Sequence, residues 1–312
     1  MKRWLVRGAV VAAIALLPLP GAAQKAAPAS CGASGIALQV LGSGGPELAG
    51  RASTSYLIWR DGKAAVIVDL GGGAALRFRE AGAKLADVDL FLLSHLHVDH
   101  SADLPVLIKS DLFERRRQAL PLFGPVAGGT FPATTAWVKL LTEEKAGAFA
   151  YLSDYLTPGI LSGYSLKAAD VALARGEIKE IFSAVGIKAA ATTVTHSDIP
   201  ALAWRVEIGG KRIVFSGDGD GRNGNLERLA ENADVLIAHL AVPEGTHGGE
   251  LDYHMPPSSI GRIAAVAKIR QLILGHRMTR TIAKEEETRT AIAREYKGPL
   301  SFADDLTCYS LK

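Results

Sequence analysis

Four residues within six positions, His95, His97, Asp99 and His100 in the stretch FLLSHLHVDHSADLP, carry side chains that bind divalent cations. Extended backbone sends alternate side chains to one side, so His95 and His97 can converge on one ion. Asp99 and His100 fall at the following turn and can reach a second. A solvated turn is the competing reading of any one of them. Three more such residues stand where an apolar run gives way to a loop: His196 in VTH, Asp218 in FSGD and His276 in LILGH. Seven of them in such places point to one metal centre. Imidazole nitrogen with carboxylate oxygen suits zinc, with manganese or iron as alternatives, and a carboxylate such as Asp218 can bridge two ions. Two divalent cations about 3.5 to 4 Å apart bring a shared water toward ionisation at neutral pH and polarise the bond it attacks. The chemistry predicted is hydrolysis.

Such a centre requires strand ends held side by side. Residues 36–41, 55–59 and 64–69 read as strands separated by Gly-rich turns, followed by a helix over 74–81 and a strand over 88–93 that ends at the opening stretch. A helix is predicted ahead of the basic run Arg115 to Arg117. That run is taken as a solvated helix end, with a phosphate contact as the alternative. Further helices are expected over 134–144 and 168–182. GIKAAATTVTH reads as a strand, LAWRVEI and KRIVFSGD as a hairpin turning through Gly209-Gly210, and DVLIAHL and QLILGH as strands. Between the last two, residues 257–268 form a helix capped by Ser258. Two β-rich halves, each ending in helices, predict a sheet-on-sheet core with helices outside.

A composition of 48% hydrophobic and 21% charged residues excludes a disordered or fibrous chain. The N-terminus has Lys2, Arg3 and Arg7, then an apolar stretch, then prolines and small residues. It is read as a signal peptide over 1–23, with an uncleaved anchor as the alternative. A linker over 24–35 and one domain over 36–312 complete the expected organisation. Cleavage would take the formal net charge from +3 to zero. Small-molecule substrates are therefore expected rather than a nucleic-acid polymer, with no membrane insertion after cleavage and a homodimer left open. The expected location is the periplasm or outside the cell. In an oxidising compartment Cys31 and Cys308 should pair, which could stabilise the fold by roughly 5 kcal/mol.

Taken together, LGSGGP with Ser53 to Tyr56, VDLGGG, SHLHVDH, VTH, FSGDG, the stretch from His254 to LILGHR, and FADDLTCYSL resemble the metallo-β-lactamase fold hydrolases. Within them, the ribonuclease Z and arylsulfatase-like branch is the nearest match. The resemblance implies an α/β chain folded as an αββα sandwich. It implies that His95, His97 and His196 hold a first ion, that Asp99, His100 and His276 hold a second, and that Asp218 bridges them. Asp99 would also orient the nucleophile. His254, 22 positions before His276, would be the general acid, a surface histidine being its bland alternative. His239 stands where ribonuclease Z has the end of a His-Glu pair, and is expected to line the pocket or steady a ligand. His247 is expected to be a loop residue outside the chemistry. Only 22 positions separate His196 from Asp218, which leaves no room for the long arm that usually grips transfer RNA there. Gly219 replaces the threonine common after the bridging acid. β-Lactam hydrolysis is disfavoured because those members usually replace that acid. A small phosphodiester, such as a cyclic nucleotide or an aryl diester, is the expected substrate. Lactones and sulfate esters are competitors, and a metal-binding sensor without turnover is the non-enzymatic alternative.

Overall fold

The computed structural model describes residues 31–114, 116–158, 160 and 164–312. The expected signal peptide and Arg115 lie outside them. The first sheet is built from β1 (Ile36–Gly42), β2 (Ser55–Arg60), β3 (Lys63–Val68), β4 (Leu90–Leu92), β5 (Leu120–Pro125) and β6 (Leu166–Val171). The second contains β7 (Lys179–Ala184), β8 (Ile187–His196), β9 (Ile199–Ile208), β10 (Lys211–Phe215), β11 (Val235–His239), β12 (Gln271–Gly275) and β13 (Leu300–Phe302). The C-terminal β14 (Cys308–Leu311) returns to the first sheet beside β1.

Each sheet changes from antiparallel to parallel pairing along its width, at β3 in the first and at β10 in the second. The parallel strands therefore end along a common edge, where open α/β sheets gather their ligand-binding groups. Ile208 pairs with Lys211, and Gly209 and Gly210 both hold positive φ, 55° and 76°. That is the tight hairpin a Gly-Gly pair predicts.

Apolar side chains from both sheets, including Leu38, Tyr56, Val66, Trp204, Phe215 and Ile273, form the buried layer between them. On the outer face of the first sheet lie α1 (Ala74–Glu80), α2 (Val98–Ser101), α3 (Leu104–Ser110) and α4 (Thr134–Thr142). Flanking the second are α5 (Asn225–Leu229), α6 (Pro257–Val266), α7 (Thr279–Ile282) and α8 (Glu285–Ile292). The order is helices, sheet, sheet, helices, an αββα sandwich.

Three local expectations are corrected. The helix expected over 168–182 is replaced by two edge strands. β6 pairs parallel with β5, and β7 pairs antiparallel with β8, so sheet hydrogen bonds override a weak helical pattern. Helix α6 starts from Pro256, and Ser258 does not cap it. Instead the Ser258 amide donates to the Glu244 carboxylate at 2.8 Å, an acid supplied from another loop. Arg116 is not a solvated helix end. It is buried, and its guanidinium donates to the carbonyls of Leu85, Val88, Gln118 and Ala119. Cys31 and Cys308 are paired, tying the chain before β1 to β14 across 277 positions.

Candidate metal centre

Strand ends and the loops that leave them deliver most side chains of the site. After β4, Ser94 and His95 lead into the turn HLHVDH, which closes as the short helix α2 and aims Asp99 and His100 inward. The loop after β3 grips this turn. The Leu70 amide donates to the His100 carbonyl at 2.7 Å, and a Cβ on Gly71 would lie 2.1 Å from the Asp99 carbonyl, so only glycine fits there. His196 ends β8, Asp218 follows β10, His239 ends β11 and His276 follows β12. Asp69 and His276 both hold positive φ, 56° and 51°, a conformation that costs of order 1–3 kcal/mol for a residue with a Cβ. Such strain collects at functional sites.

Two clusters of donor atoms result. In the first, His97 Nδ1 lies 2.9 Å from His95 Nε2 and 3.4 Å from His196 Nε2. Ligands on a tetrahedral zinc ion at about 2.0–2.1 Å stand roughly 3.3 Å apart. In the second, Asp99 Oδ2 lies 3.2 Å from His276 Nε2 and 3.6 Å from His100 Nε2. Asp218 joins the two. Its Oδ2 stands 3.4 Å from His276 Nε2, 3.5 Å from His100 Nε2, and 3.9 Å from His95 Nε2, from His196 Nε2 and from His254 Nδ1. Its Oδ1 accepts a 2.7 Å hydrogen bond from His239 Nδ1.

Neighbouring acceptors set the tautomers. The Tyr253 carbonyl is 2.9 Å from His196 Nδ1, and the Asp69 carboxylate is 2.9 Å from His100 Nδ1. Both can only accept, so these nitrogens carry protons and Nε2 is the atom left to face the centre. Asp69 also accepts from the Ser94 amide and hydroxyl, each at 2.7 Å. Its role was not read from the sequence, although VDLGGG held the signal: an acid at a strand's C-terminal end.

Burial pushes His95 well below the ordinary imidazole range and also lowers His97 and His196, so the first cluster is neutral at pH 7. Burial would lower His100 and His276 too, but Asp218 overrides it and raises both. Against burial, His276 and His100 hold Asp218 well below the usual carboxylate range, and Asp99 is brought down to about 2. His254, lowered mainly by burial, sits at about 4. A buried His100 Nε2 with no hydrogen-bond partner, facing two carboxylate oxygens, is a donor set that a cation satisfies. The residues fit divalent metal, as the groups His95/His97/His196, His95/His100/Asp218, Asp99/His100/His276 and His196/Asp218/His254.

All seven metal-capable residues picked out in the sequence therefore meet at one point. His254 is brought there as well, with only 15% of its side chain exposed, which removes the surface alternative. His239 touches Asp218, whereas His247 is exposed on its loop.

The beta-lactamase superfamily domain matches residues 67–277. Ribonuclease Z of Mycolicibacterium paratuberculosis is 28% identical over 284 residues, which cover 87% of this chain and 96% of that protein. Human tRNase Z, short form, superposes with a TM-score of 0.68 at 17% identity, over 88% of this chain and 99% of the other. The metallo-beta-lactamase fold protein YhfI from Bacillus subtilis gives a TM-score of 0.65 at 21% identity, with 88% and 99% covered. With the domain match spanning most of the sandwich and all seven metal-capable residues, from His95 to His276, falling within 67–277, the chain belongs to the metallo-β-lactamase superfamily of hydrolases.

Proposed function

We propose that the chain is an exported hydrolase that uses two divalent cations, zinc in the first instance, to cleave small phosphodiesters. One observation carries this reading. Asp218 Oδ2 stands among five imidazole nitrogens at 3.4 to 3.9 Å, while His239 occupies its other oxygen, the placement expected of an oxygen shared between two ions. His95, His97 and His196 would hold one ion and Asp99, His100 and His276 the other.

When bound, the pair supplies an activated water and charge neutralisation at the ester oxygens. The protein's own groups do the rest. Asp99 orients the attacking water, and its low pKa keeps it a carboxylate throughout. His254 starts neutral, so it acts as an acid by passing on a proton received from the attacking water rather than by holding one in reserve. His239 fixes the Asp218 carboxylate through Nδ1.

Export is supported by the N-terminal pattern and by the Cys31–Cys308 pair, since disulfides persist in oxidising compartments. Small substrates are supported by the short β9–β10 hairpin, which occupies the whole interval between His196 and Asp218. RNA is the second reading, favoured by relatives named ribonuclease Z that align along nearly their full length. Purified mature protein should hydrolyse bis(p-nitrophenyl) phosphate, lose activity to a chelator and regain it with zinc. Turnover of a structured RNA but not of the small diester would establish the second reading instead. Activity on neither would remove both.

A further inference from the structure

We infer that the site has a dedicated subsite for an aryl or alkyl arm of its substrate, an inference that rests on the hydrolase reading above and narrows its substrate class. A cavity of about 470 Å³ opens beside the first donor cluster, within the range of pockets that hold small organic ligands. His97 belongs to both: its ring forms part of the cavity wall while Nδ1 turns to His95 and His196.

The remaining wall is apolar. Phe131 meets the His97 ring edge-on at 5.3 Å between centroids, and Trp137, Leu141 and Phe149 continue the surface from α4 and the segment after it. Ser101 is the only hydroxyl in the lining among the described residues, and its proton goes to the His97 carbonyl at 2.9 Å. Among the described residues, no lysine, arginine, aspartate or glutamate lines the cavity. A nucleobase would find little there to read its hydrogen-bonding edge. An uncharged ring or short alkyl group would lose nothing on entry and would gain from leaving water. The anionic end of such a molecule lies at the cations while its apolar arm runs past His97 toward Trp137. A larger cavity, about 570 Å³, lies by the Gly209–Gly210 turn at the opposite end of the strands and contains none of the donor residues.

The test compares phenylphosphonate with methylphosphonate, binding each by calorimetry to the zinc-loaded mature protein, so the readout does not need turnover. Both present the same anion, and only the arm differs. Phenylphosphonate should bind about tenfold more tightly or better. Ala102→Phe, which fills the cavity, and Phe149→Ser, which breaks its wall, change exposed positions. Both should cut the preference to threefold or less while methylphosphonate affinity stays the same. Equal binding of the two by the unaltered protein, or a preference kept in both variants, overturns the subsite. So does sedimentation showing that a second copy of the chain covers this face and is released by Phe149→Ser. A preserved phenyl preference in a protein that fails to cleave bis(p-nitrophenyl) phosphate upholds the subsite and removes only the phosphodiesterase reading.

Discussion

Replacing Asp69 with asparagine should strip one cation from the centre and leave the other. The Asp69 carboxylate touches no reacting atom. It holds His100 Nδ1 at 2.9 Å and Ser94 through two bonds of 2.7 Å. Asparagine keeps one acceptor, which the Ser94 amide can claim, and turns an amide N–H toward the N–H of His100. To relieve two donors facing one another, His100 rotates or moves its proton to Nε2, the atom aimed at Asp99 and Asp218. Loss of such a supporting acceptor typically weakens metal binding about 10- to 100-fold, which is about 1.4 to 2.8 kcal/mol. The His95/His97/His196 cluster keeps the Tyr253 carbonyl on His196 and meets Asp69 only at one remove, through the Ser94 hydroxyl 3.1 Å from His95 Nδ1, so it should keep its ion. Competition against a chromophoric chelator, with elemental analysis at fixed free zinc, reads both quantities. The expected result is one ion unchanged and one weakened by that factor. Two ions held as tightly as before, or both lost in parallel, would refute the reasoning.

His254→Ala should lower kcat by about 10²- to 10⁴-fold with metal content unchanged, because His254 faces Asp218 Oδ2 but belongs to neither the His95/His97/His196 nor the Asp99/His100/His276 group. It also stands close enough to His196 and Asp218 to share an ion with them, so an ion lost along with the rate would make it a ligand, and an unaltered rate would return it to a structural part. Serine at both Cys31 and Cys308 should destabilise the fold by up to about 5 kcal/mol, read as a lower urea midpoint, since the pair closes nearly the whole described chain. An unchanged midpoint would show that β14 holds without it. Asp111 is buried, no side chain hydrogen-bonds either of its carboxylate oxygens among the described residues, and burial, only partly offset by the charge and backbone of Arg116, raises its pKa to about 6. The folded state then keeps a proton that the unfolded chain releases near pH 4, so stability falls as pH rises from about 4 through 6 and is level above. Asp111→Asn should therefore stabilise by about 2 kcal/mol at pH 7.5 and by nothing at pH 3.5. Equal midpoints for the two proteins at both pH values would contradict this.

Most of the candidate centre was legible because its metal-capable residues stand at or just past the ends of apolar runs. Strands of the parallel type are buried on both faces and read as unbroken hydrophobic stretches, so His95, Asp218 and His276 stand out as the first polar residue or two past them. Asp69 obeys the same rule after β3 but was read as the last residue of the strand over 64–69, ahead of a Gly-rich turn, which hid its part in the centre. The segment from 106 to 182 was the least legible. β6 and β7 are half-exposed edge strands whose only firm instruction comes from neighbours distant in sequence. For the same reason Phe131, Trp137 and Phe149 gave no sign of a shared wall, since only the fold carries them to His97. Arg116 looked like part of a charged surface run, whereas the four carbonyls that bury it come partly from the loop before β4.

Anomalous-difference maps from crystals of the zinc-loaded protein address the metal centre most directly. Two peaks about 3.5 to 4 Å apart are expected on either side of Asp218 Oδ2, one among His95, His97 and His196 and the other among Asp99, His100 and His276. A single peak, or peaks away from Asp218, would contradict it.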